Sequence, residues 1–79
     1  MQLAYDSIRK RVADTLVSIV NKEGTAEFDI LREDLAKMVG TAKESVIRTL
    51  TDFRESGYIN IIGGRIHIVN LDKLASIPG

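Results

Sequence analysis

The chain has no cysteine, no tryptophan, one histidine and one proline among its 79 residues. Without cysteine there is neither a disulfide framework nor thiolate ligation of a metal, and a reducing cytoplasm is the expected setting. With His67 alone and no thiol beside it, no metal centre is expected, and nothing in the pattern asks for a cofactor. Neither sign of charge is in excess, since 11 Lys and Arg balance 11 Asp and Glu. Phosphate neutralisation supplies most of the affinity of free-standing nucleic-acid binders. A neutral chain must therefore gather its cations on one face to bind one. No apolar run approaches the ~20 residues that span a bilayer. The opening MQLAYDSIRKRV carries charge where a secretion signal carries its apolar core. Neither a membrane partner nor export is expected. A chain of 79 residues makes one domain with a modest core and little room for a buried catalytic cleft.

What the chain does have is hydrophobic periodicity, in an ordinary balance of 44% apolar and 28% charged residues. Ile8, Val12, Leu16, Ile19 and Val20 recur at helical spacing and predict a first helix over 3–22, closed by Lys22 and Gly24. Residues 23–27 read as a loop and Phe28-Asp29-Ile30 as a very short strand. Arg32 to Val39 predicts a second helix with Leu35, Ala36 and Val39 on one side. At about two turns it needs a packing partner, and Gly40 ends it. A third helix is predicted over 42–56. Its start matches a capping box, with Thr41 as cap and Glu44 three residues on. Val46, Leu50 and Phe53 are its core stripe and Gly57 its stop.

Ile59-Asn60-Ile61-Ile62 and Arg65-Ile66-His67-Ile68-Val69 then flank Gly63-Gly64. A Gly pair tolerates the positive φ that a tight hairpin turn requires. Alternation places His67 on the solvent side. A short helix capped by Asn70 or Asp72 is predicted before Pro78. Tyr5 and Tyr58 are expected at the edges of the core. Two short helices joined by a tight Gly turn and followed at once by a hairpin give a mainly α fold with a small β-hairpin. This is a winged helix-turn-helix, a three-helix core plus wing.

On a helical wheel Lys43, Glu44, Ile47, Arg48 and Thr51 lie nearly opposite Val46, Leu50 and Phe53. The first turns of a recognition helix are the part that reaches base edges. Arg is the usual bidentate partner of guanine, Lys reaches the same acceptors, and Glu accepts from the cytosine amino group. The plain alternative is a solvated face, on which Glu44 and Arg48 form a supporting (i, i+4) pair. Ile47 fits either a thymine methyl or a protein contact. The acidic Asp29, Glu33 and Asp34 read as favourable charge at a helix N-terminus. No nucleophile with an orienting base is present, so no catalytic residue and no enzymatic activity are expected.

The run FDILREDLAKMVGTAKESVIRTLTDFRESGYINIIGGRIHIVNLDKL resembles the C-terminal domain of the cyclic-AMP receptor protein/fumarate-nitrate regulator (Crp/Fnr) family. The resemblance extends upstream through Arg11-Val12-Ala13-Asp14-Thr15-Leu16 and covers roughly residues 8–74. It implies sequence-specific double-stranded DNA binding as the DNA-reading domain of a bacterial transcription regulator. The recognition helix 42–56 would enter the major groove, and the wing 59–69 would lie on the backbone. Lys43, Glu44, Arg48 and Ile47 are then the base-reading residues. Arg32, Thr41, Ser45, Gly63, Gly64 and Arg65 are the phosphate contacts. The partners implied are DNA, a second copy of the chain in a homodimeric regulator, and RNA polymerase. Residues 1–10 would be a remnant of a dimer and hinge helix, and 8–79 the winged domain. The sequence departs from the family pattern in Leu31, where a capping Thr is usual, and in Ala42 and Lys43, where Ser and Arg are usual. The rival expectation is a winged-helix protein-interaction module that does not read DNA, motivated by the zero net charge and Ile47.

Overall fold

The computed structural model describes residues 3–78, with side chains from residue 7 onward. The elements are α1 (Leu3–Glu23), β1 (Glu27–Phe28), α2 (Arg32–Val39), α3 (Lys43–Glu55), β2 (Ile59–Ile62), β3 (Arg65–Ile68) and α4 (Leu71–Ala75). α1 buries Val12, Ala13 and Leu16, and Ile8, Val17, Ile19 and Val20 pack around them. Its end is closed by Gly24 at φ +71, whose N–H donates to the Val20 carbonyl. The backbone of α1 passes residue 10 without a break. The side chain of Tyr5 lies outside the described residues, whereas Tyr58 stacks at a tilt on Phe53 with ring centroids 6.0 Å apart.

α2 packs on α3, and Ala36 and Val46 are both buried in the shared core. Gly40 ends α2 at φ +84, and its N–H donates to the Ala36 carbonyl. A residue with a Cβ in that conformation carries about 1–2 kcal/mol of strain. Arg11 of α1 reaches over this turn, its Nη2 donating to the Gly40 carbonyl at 3.2 Å. The turn is thereby tied to the first helix as well as to its neighbours.

The wing is part of a three-stranded antiparallel sheet in the order β1-β3-β2. The two-residue β1 has no stability of its own. It is held because Phe28 buries its ring opposite Ile66, and because the Ile68 N–H donates to Ala26 at the strand's start. In the hairpin Ile62 pairs with Arg65. That leaves Gly63 and Gly64, at φ +57 and +80, as the two turn residues. Two positive φ values are the geometry of a type I′ turn. Ile59 and Ile66 face the core. Leu74 of α4 and Ile77 beyond it close the core at the other end. Asn70 caps α4, accepting from the Lys73 N–H at 3.1 Å.

Candidate nucleic-acid interface

α3 presents two unlike faces. Val46, Thr49, Leu50 and Phe53 are buried on one. Lys43, Glu44, Ile47 and Arg48 are all exposed on the other, and Thr51 is half-buried at the border. Thr49 was absent from the core stripe expected from the sequence. Its hydroxyl is satisfied by the Ser45 carbonyl at 2.8 Å, which removes the cost of burying it. Spacing of three from Val46 was the available signal, and the polar type hid it.

The capping box at the start of α3 does not form. α3 begins at Lys43 with Ala42 as N-cap, and no side chain caps it. The physical reason lies in the turn. The Thr41 N–H is used to close α2, donating to the Ala36 carbonyl at 3.1 Å. The extended capping position therefore falls one residue later, on Ala42, and Glu44 stands two residues past the cap instead of three. α2 is likewise uncapped at Leu31, as the missing hydroxyl there predicts. Both helices of the motif thus start with first-turn N–H groups that no side chain covers.

Lys43 and Arg65 have acidic partners within the chain. Lys43 of α3 reaches Glu33 of α2 at 3.6 Å. Arg65 of β3 lies 3.4 Å from Glu27 of β1. The second Glu27 oxygen is 3.1 Å from His67 Nδ1. His67 does sit on the outward side of the sheet, half-buried against Glu27. These are exposed pairs that hold little energy and exchange readily. Neither pairing was visible in the sequence, because Glu33 and Lys43, or Glu27 and Arg65, meet only across the tertiary fold.

Arg32 differs from the other candidates. Its Nη1 donates to the Ile30 carbonyl at 3.1 Å and its Nη2 to the Gly64 carbonyl at 3.3 Å. The start of α2 and the wing turn are therefore joined by one guanidinium. Thr41, Ser45, Gly63 and Gly64 lie in or beside the two turns, with Gly63 and Gly64 exposed. The structure thus gathers the base-reading candidates on one helix face and fixes Arg32 to the wing.

A helix pair crossing at a Gly turn, an exposed polar face on the second helix, and a sheet hairpin beside it define a winged helix-turn-helix domain. The chain belongs to the family of Crp-like helix-turn-helix domains, whose model matches residues 10–77. This is a family of DNA-binding domains from transcription regulators. CRP-like cAMP-activated global transcriptional regulators from two strains of Mycobacterium tuberculosis are each 30% identical to it over 80 residues. Those alignments cover 92% of this chain and 36% of the relatives. Among solved structures, the catabolite activator protein of Thermus thermophilus matches with a TM-score of 0.89 at 28% identity, over 95% of this chain and 35% of that one. A Crp/Fnr-family chain from Eubacterium rectale matches with a TM-score of 0.87 at 32% identity, over 96% and 35%. The chain spans about a third of the length of the relatives it matches. The two Mycobacterium relatives are transcriptional regulators. Among the described residues no helix is long and apolar enough to cross a membrane.

Proposed function

We propose that this chain is the DNA-reading domain of a dimeric, cytoplasmic bacterial transcription regulator, with α3 in the major groove and the wing on the backbone. The observation that carries this reading is the exposure of Lys43, Glu44, Ile47 and Arg48 together on one face of α3, while the opposite face is anchored in the core. Arg48 reads guanine through its two-pronged guanidinium. Lys43 reaches the same acceptors as a point charge, and Glu44 accepts from cytosine. Ile47, 43% exposed, packs on a thymine methyl. Phosphates are met by Thr41, Ser45 and the uncapped first turn of α3. Gly63, Gly64 and Arg65 meet them from the wing, with the donors that the two carbonyl bonds of Arg32 leave over. A second copy of the chain supplies the other half-site, and RNA polymerase is a further partner of the whole regulator.

Selection from a randomised duplex library tests this, with Arg48→Ala and Ile47→Ser versions run in parallel. The native protein should enrich a motif containing G·C pairs. Arg48→Ala should relax one position of it, at a cost of about 1–3 kcal/mol. A folded protein that enriches nothing at low salt would sink the proposal. The rival reading, a protein-interaction module, rests on exposed Ile47. It gains if the folded native protein enriches no motif while Ile47→Ser abolishes capture of a protein partner.

The intramolecular carboxylates make a second expectation. Glu33→Gln should raise affinity for the selected duplex. Removing one negative charge about 7 Å from a phosphate in water is worth ~0.6 kcal/mol, or about threefold, and it releases Lys43 as well. The gain should shrink as salt rises. An unchanged affinity at low salt would mean that Glu33 and Lys43 both lie away from the duplex.

A further inference from the structure

The hairpin is unequally supported along its length. β1 pairs with β3 only at His67 and Ile66. Beyond Ile66 the tip, residues 62–65, has only the β2–β3 ladder behind it. Ile62 is 56% exposed, and a Cβ built on Gly63 or Gly64 would meet nothing within 4 Å. A two-stranded ribbon without a third layer is marginal in water. Two side chains tie this tip to the body. One is the exposed ion pair of Arg65 with Glu27, both of them already in the sheet. The other is Arg32, which spans from the Ile30 carbonyl to the Gly64 carbonyl and comes from the helical body.

We infer that Arg32 is a positioning residue for the wing. Its guanidinium braces the Gly63-Gly64 turn against the start of α2 and so sets the distance between the wing and α3. The planar fork is what the arrangement uses. Two N–H groups of one rigid group reach two carbonyls 34 residues apart in the chain. α2 packs on α3, so a turn fixed to the first residue of α2 is fixed relative to the reading face. A lysine keeps the charge and loses the two-pronged geometry. A residue whose work is only to neutralise a phosphate would tolerate that exchange. A brace would not. The wing half of this inference stands by itself, and the DNA half rests on the function proposed above.

The test uses the whole chain with Arg32→Lys and Arg32→Ala, after thermal melts confirm that each folds. Backbone order parameters of Gly63, Gly64 and Arg65 are measured without DNA, and affinity for the selected duplex is then titrated across salt. The native tip should be as rigid as ordinary backbone, near ~0.85, and both variants should fall below ~0.6. Both should lose about tenfold in affinity while the enriched base motif stays the same. A tip that remains rigid in both variants overturns the inference, as does full retention of affinity by Arg32→Lys. A loosened tip in a chain whose native form binds no duplex upholds the brace and defeats the DNA reading instead.

Discussion

Phe53→Ala is expected to lower the melting temperature by roughly 12–40 °C, the largest single-residue effect on stability foreseen for this chain. Phe53 is the largest fully buried side chain among the described residues, at 0% exposure on the inner face of α3. It packs under Tyr58, and the Arg9 guanidinium of α1 lies 5.6 Å from its ring centroid. Truncation removes the transfer term and leaves a cavity, together ~3–5 kcal/mol. At about 4–8 °C per kcal/mol for a domain of this size, that gives the stated shift. The loss is a large share of the total, because roughly 0.05–0.15 kcal/mol per residue is all that a small domain holds. Thermal unfolding followed by circular dichroism measures the shift, and urea unfolding measures the free-energy loss. Phe53→Leu, which leaves a smaller cavity, should cost less than Phe53→Ala and keeps the comparison open if the alanine variant fails to fold. A shift of under about 5 °C for Phe53→Ala would mean that α3 is not anchored through this ring.

Joining two copies through a parallel coiled coil ahead of α1 is expected to raise DNA affinity by about 10²–10⁴-fold over the single chain. One domain offers few phosphate contacts. Its binding should therefore be weak and only shallowly salt-dependent, and two domains should roughly double the salt slope. The gain requires half-sites on one face of the duplex, ~10–10.5 base pairs apart or multiples of this. Inserting about half a helical turn between them turns one half-site away and should return the affinity to that of the single chain. Fluorescence anisotropy against duplexes of graded spacing measures this directly. A gain that ignores spacing would show that linking the copies adds only non-specific charge, and that α1 does not orient two reading heads about one axis.

Much of the molecule is legible in the sequence. The second helix has the bounds read from the sequence, Arg32 to Val39, because Gly40 admits only one economical ending there. The Gly63-Gly64 hairpin formed as read, since a two-residue turn with both φ positive suits few other pairs. The opposed faces of α3 followed from a period of 3.6, and the family that those residues suggest is the one whose model matches residues 10–77. The start of α3 was misread. A capping box depends on where the preceding turn spends its N–H groups, and Thr41 spends its own on Ala36.

By itself, then, the sequence determined the local conformations and the apolar stripes, because φ preference and side-chain periodicity act over a few neighbouring residues. The tertiary structure decided everything that joins distant segments. It recruited β1 into the sheet through the burial of Phe28. It set Glu33 against Lys43 and Glu27 against Arg65. It also carried the guanidinium of Arg32 to the carbonyl of Gly64. Such contacts depend on how helices and sheet pack as bodies. A long charged side chain finds its partner only after that packing exists.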